Sequence, residues 1–184
     1  LRSSVNIIPN KDRTSTNVGG VIGHIKGSSS KENLEIGELL FDGTVKHSVV
    51  VGAGLVGIIT GTDKVDINKA YSYINTFIST GNYAGGLIAA SEQDIEISDA
   101  MSTGRIVPTI TGSAVVGGFV GDATDKTIEI QNAYSLTSIV GDGVKNDQIA
   151  SVNLNALVGA AGEVDVAEDA EDTVMDSVYK IVNN

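Results

Sequence analysis

The feature that most restricts this chain is that it repeats itself. Five tetrads share one shape: Gly20-Val21-Ile22-Gly23, Gly54-Leu55-Val56-Gly57, Gly86-Leu87-Ile88-Ala89, Gly118-Phe119-Val120-Gly121 and Ala156-Leu157-Val158-Gly159. Their starts are separated by 34, 32, 32 and 38 residues (54−20, 86−54, 118−86, 156−118). A second box follows at a near-constant offset: Val65-Asp66-Ile67-Asn68-Lys69-Ala70-Tyr71-Ser72, then Ile95-Glu96-Ile97-Ser98-Asp99-Ala100-Met101-Ser102, then Ile128-Glu129-Ile130-Gln131-Asn132-Ala133-Tyr134-Ser135. A fixed period of this kind points to stacked copies of one small unit, because each copy buries its apolar face only against its neighbours.

The outer copies are worn. Leu34-Glu35-Ile36 and Leu39-Leu40 stand in the first box, and Met175-Asp176-Ser177-Val178-Tyr179 fits the second half of the last. On that alignment the acidic stretch from Val166 to Asp172 is an insertion. Terminal units of an array lack one neighbour, so degeneracy there is expected.

Within a unit the pattern is that of strands. Ile128-Glu129-Ile130 alternates apolar and polar residues with the period of a half-buried strand, and no window shows a sustained 3.6-residue stripe. A third β-prone piece varies more: Val45 to Val51, Ile74 to Ile78, Ile106 to Ile110 and Ser138 to Val140. The tetrads read as short apolar runs fenced by glycine, which permits positive φ at corners and close approach of backbones. Composition agrees: 22 Gly but 2 Pro in 184 residues favour recurrent tight turns over a disordered linker.

These observations predict an all-β chain with little helix, a parallel β-solenoid of about five coils. It forms one domain over 1–184, with units starting near 18, 52, 84, 116 and 154. One inward column is expected from Ile36, Ile67, Ile97, Ile130 and Met175, and another from Val56, Ile88, Val120 and Val158. Asn68, Asp99 and Asn132 fall near one corner, where Asn and Asp bond local backbone.

The boxes resemble the GLUG motif, a short repeat with a Gly-Leu-x-Gly core found in bacterial surface proteins, here as Gly54 to Gly57, Gly86 to Ala89 and Gly118 to Gly121, each followed by the box ending in Ser. The resemblance spans about residues 18 to 179, with Ala89 and Ala156 as departures from the glycines. It implies that the fold is a right-handed parallel β-helix, in large adhesin-like proteins or in non-catalytic regions of immunoglobulin A-cleaving metallopeptidases.

The functional expectation is a non-catalytic structural or adhesive module, secreted or at the cell surface. It is taken as an excerpt of a larger protein because Lys180 to Asn184 are too few residues to cap the C-terminal end of the stack. Its partners are expected to be protein (a host surface or neighbouring domains), with glycan as a further class. The alternatives are an accessory, substrate-positioning domain of a large secreted metallopeptidase and a polysaccharide-binding or polysaccharide-active β-helix. A net charge of −11 argues against nucleic acid and anionic membranes, which attract clustered positive charge. No apolar run is long enough for a membrane-spanning helix.

No catalytic, cofactor or metal residue is assigned. Val49 to Gly57 matches a dinucleotide fingerprint through Gly52, Gly54 and Gly57, but Ile58-Ile59-Thr60-Gly61 does not open a helix to hold phosphate. His24 and His47 lack H-E-x-x-H spacing. Asp122/Asp125 and Asp63/Asp66 are carboxylate pairs without the Trp or basic groups expected of a sugar-cleaving site, and read as solvated turns. The acidic loops Asp122 to Asp125, Gly141 to Gly143 and Glu168 to Asp172 follow neither calcium-loop spacing. The absence of Cys removes disulfides and thiol chemistry.

Overall fold

A computed structural model describes residues 1–4, 6–7, 17–27, 33–45, 51–61, 64–78, 83–108, 114–142, 152–155, 158–166, 174–175 and 179–182. Every element among them is a strand, and every pairing is parallel. The chain is thus an all-β, solenoid-like stack. One sheet contains β3 (Asn17–Gly19), β6 (Val51–Ala53), β9 (Tyr83–Gly85), β12 (Ala114–Gly117) and β14 (Val152–Asn155). The other strands are β1 (Arg2–Ser3), β2 (Asn6–Ile7), β4 (Ile22–Lys26), β5 (Leu34–Val45), β7 (Val56–Thr60), β8 (Lys64–Ile78), β10 (Ile88–Ser91), β11 (Asp94–Pro108), β13 (Val120–Asp142), β15 (Val158–Val166), β16 (Val174–Met175) and β17 (Tyr179–Val182). They form one curled sheet, closed through β13, which pairs with β10 along its first part and with β11 along the rest.

Like residues lie beside like residues. Ile36, Ile67, Ile97 and Ile130 are successive partners, and so are Ile22, Val56, Ile88, Val120 and Val158. Ile67, Ile97, Val56, Ile88 and Val120 are fully buried. At roughly 25 cal/mol per Å² of apolar surface, each buried Ile or Val contributes about 1.5–3 kcal/mol, so the columns are the main source of cohesion.

The fifth member of the isoleucine column differs from the expectation. Val166 pairs with Ile130, while Met175 pairs with Ser135. Val164-Asp165-Val166 is therefore the last copy of the apolar–acid–apolar box, and Val166 belongs to strand β15 and not to an insertion. The alignment went astray because the last unit lengthens between the two halves of its box. Residues 167–172 of that stretch lie outside the described residues, as do His47, Asp63 and Ala156.

Two other local expectations are corrected. The second box and the third β-prone piece are one continuous strand in β8 and in β11. The tetrads are not strands fenced by glycine. The first four straddle the corner between the two sheets, with Gly54-Leu55, for example, separating β6 from β7. The tetrad glycines do not have positive φ; among the described glycines only Gly61 and Gly104 do. What they supply is closeness. A Cβ on Gly86 would lie 1.8 Å from Ser102 Oγ and 2.1 Å from the Gly118 carbonyl oxygen, and one on Gly54 would lie 1.9 Å from Ser72 Oγ. The tetrad glycine and the box serine are two halves of one packing constraint, which explains why they recur together.

The residues following each corner, Leu55, Leu87 and Phe119, are fully buried. Their backbones carry the ladder around the bend: Leu55 N–H donates to Leu87 O (3.1 Å), and Leu87 N–H donates to Phe119 O (2.9 Å). A second bend, inside the long strands, uses left-handed residues that are not glycine. Glu38, Lys69, Asp99 and Asn132 have φ of 56°, 51°, 50° and 49°. Asp99 and Asn132 stand at this corner as expected. In the preceding unit its left-handed residue is Lys69, with Asn68 immediately before it. At the other end, β1 and β2 pair with β5, extending the stack to residues ahead of the first tetrad.

Candidate functional site

The chemistry-bearing side chains collect on the outer face of β5, β8, β11 and β13, on either side of the left-handed corner. The alternation that sends Val65, Ile67 and Ala70 inward sends Asp66 and Tyr71 outward. Stacking then turns each outward position into a column.

Before the corner the column is acidic. Glu35, Asp66, Glu96, Glu129 and Asp165 are successive register partners. Neighbouring strands lie about 4.8 Å apart, so the carboxylates repel one another unless bridged. Lys64 provides the bridge. Its Nζ donates to Glu96 Oε2 (2.9 Å) and to Glu129 Oε2 (3.0 Å). The hydrogen bond to Glu96, then that to Glu129, holds the ammonium pKa above the usual lysine value, against a smaller opposing effect of burial. Asn68 Nδ2 donates to Glu35 Oε1 at 3.0 Å. Asp66 Oδ1 is buried without a hydrogen-bond partner among the described residues. No group of three or more metal-ligating side chains converges among those residues.

After the corner the column is apolar and aromatic. Leu40, Tyr71, Met101 and Tyr134 are successive partners, and Asp42, Tyr73, Thr103 and Leu136 form the next outward column. Tyr71, Tyr73 and Leu136 are exposed. An open groove of about 620 Å³ crosses three strands here, between Tyr71, Met101 and Tyr134 on one side and Lys69, Asp99 and Asn132 on the other. A second groove of about 430 Å³ meets it at Tyr71 and Met101 and continues past Tyr73 and Thr103 towards Arg2 and Asp42. Asn132 Nδ2 and Asp99 Oδ1 are 3.5 Å apart, a long hydrogen bond.

The residues singled out from sequence are scattered. Gly52, Gly54 and Gly57 are buried at the corner between β6 and β7, and the amides following Gly54 donate to the Leu87 carbonyl. They are consumed by the stack, with β7 in place of the helix that a phosphate loop needs. His24 lies exposed on β4, its Nε2 2.9 Å from Thr60 Oγ1. Asp122 accepts a hydrogen bond from Thr124 Oγ1 (2.6 Å) and faces Tyr83, whose phenol pKa is raised first by burial and then by the Asp122 carboxylate. Asp125 sits in a left-handed turn (φ 63°) at the register shift between Ala123 and Thr127. These carboxylates serve local turns and do not face one another across a cleft.

Sequence reading missed the outward columns. The signal was present in Ala70-Tyr71-Ser72 and its copies: a bulky residue between two small ones at fixed offset, hence on the opposite face. Comparisons with protein-family models, with curated proteins and with solved structures returned no match.

Proposed function

We propose that this chain is a non-catalytic structural and adhesive module of a bacterial extracellular or cell-surface protein, built as a right-handed β-helix of about five coils. The observation that carries the reading is the register. The repeated positions are occupied by core aliphatics, corner glycines and buried serines, so what is kept from unit to unit is construction, and variation is left to outward columns and turns. The parallel strand pairing and the repeating Gly-Leu-x-Gly core support the likeness to GLUG-type repeats. The net charge of −11 favours a well-solvated surface.

Antibody raised against the purified chain tests the location. Labelling of intact, unpermeabilised source cells, or of their medium, is expected; signal confined to lysed cells overturns the reading. The coil order is tested by cysteine cross-linking, which the Cys-free sequence makes clean. Thr103→Cys with Leu136→Cys, register partners on adjacent strands, should form a disulfide under mild oxidation.

A further inference from the structure

We infer that the tyrosine-lined groove across β8, β11 and β13 binds an uncharged, linear polysaccharide. The inference rests on the adhesive reading above and names the face and ligand class through which adhesion acts.

Three properties of the groove select that class. First, it runs across the strands, so each wall places one side chain at every strand spacing, about 4.8 Å. Tyr71, Met101 and Tyr134 follow one another along one wall, and Lys69, Asp99 and Asn132 along the other. Evenly spaced contacts along an open groove suit an extended chain better than a single compact molecule. Second, the walls differ in chemistry as the two aspects of a sugar ring differ. Tyrosine rings present electron-rich faces to the C–H face of a pyranose, while ammonium, carboxylate and amide groups take the hydroxyl rim. Lys69, Asp99 and Asn132 are held in left-handed backbone at a fixed corner, so these polar groups are carried on rigid strands. Third, charge excludes polyanions. Lys69 and Asp99 cancel within the groove, and the carboxylates of Asp66, Glu96 and Glu129 stand on the same strands.

A protein partner fits less well. The backbones of β8 and β11 are paired on both edges, as is most of β13, so a peptide cannot add as a strand. Apart from Leu1, the exposed large apolar side chains among the described residues are Tyr71 (41% exposed), Tyr73 (54%) and Leu136 (50%). That is too little to form the apolar core of an interface burying about 800 Å² on each side.

Affinity electrophoresis of the whole chain through gels containing a β-glucan, a xylan or a mannan tests the inference, with polygalacturonate as the polyanion control. Retardation is expected in at least one uncharged gel. Tyr71→Thr with Tyr134→Thr should weaken it about tenfold or more with an unchanged melting curve, because threonine keeps strand propensity at outward positions. If the double variant melts lower, Tyr71→Thr alone, at the more exposed position, carries the comparison. The inference is overturned by no retardation in any uncharged gel, by retardation only in polygalacturonate, by retention in the tyrosine variants, or by a peptide array captured through the same tyrosines. Surface labelling of intact cells without glycan binding removes the ligand assignment and leaves the adhesive reading standing. Glycan binding by a chain found only inside cells does the reverse.

Discussion

The tetrad corner and the outer face of the long strands are built on opposite terms. At the corner, Gly54 and Gly86 sit against Ser72 and Ser102 with no space for a methyl group, and the backbone of the next strand stacks directly behind. On the outer face, one column runs Leu40, Tyr71, Met101, Tyr134 and another runs Asp42, Tyr73, Thr103, Leu136, with no common size or polarity. Close packing is unforgiving of added atoms, whereas outward side chains meet solvent. The repeat is thus visible in sequence where volume is restricted, and specificity resides where it is not.

The strongest way to break this contrast is to add volume at the corner. Gly86→Val places a Cβ on Ser102 Oγ and on the Gly118 carbonyl, backbone that cannot yield without displacing the adjoining strand. A loss of about 3 kcal/mol or more is expected, read as a large fall in the denaturation midpoint or as failure to fold. Tyr71→Thr on the outer face should move the midpoint within about 0.5 kcal/mol. Equal effects at the two places would abolish the distinction.

A finer test lies inside the serine column. Ser102 Oγ is 2.6 Å from Thr137 Oγ1, whereas Ser72 Oγ is buried with no partner among the described residues. Ser102→Ala should cost about 1 kcal/mol, since it removes the short hydrogen bond to the Thr137 hydroxyl and leaves that group only its long 3.5 Å bond to the Gly118 carbonyl oxygen, while Ser72→Ala should be neutral or stabilising. Urea denaturation of the two variants side by side separates them; an equal loss in both would show that small size alone matters at this position.

The smallest effect belongs to the acidic column. Lys64→Met removes the bridge between Glu96 and Glu129, at a cost of about 0.5 kcal/mol that shrinks with added salt. The sign with pH follows from the raised lysine pKa. The folded state holds the proton more tightly than the unfolded chain, so the contribution is complete below the unfolded value of about 10.4 and is lost as pH rises through the higher folded one. Melting temperatures of wild type and Lys64→Met should converge in strong base. A gap that widened there would assign the stabilisation to another group.

Much of the stack was legible because a fixed period and strand alternation are local properties. The inward column through Ile67, Ile97 and Ile130, the second through Val56, Ile88 and Val120, and the all-β class follow from spacing alone. Where the spacing changed, reading failed. The last unit lengthens inside its box, so Met175 was aligned by its position before the terminal Val-Tyr pair when Val166 was the true register partner of Ile130. The acidic residues near Val166 argued for a loop, yet Asp165 is simply the register partner of Glu129, between two β-branched residues on one strand. The outward columns stayed hidden for a different reason. Each Tyr or Glu is an ordinary surface residue within its own unit, and it becomes part of a groove or a ladder only beside its neighbours.

The sequence by itself determined the unit, its apolar columns and its parallel β character, because these depend on residue type and period. Only the tertiary structure decided what the tetrad glycines are for, which residues turn the second corner, and that Tyr71, Met101 and Tyr134 share a groove with Lys69, Asp99 and Asn132. Those facts arise from contacts between residues some thirty positions apart, set by how closely one strand lies upon the next.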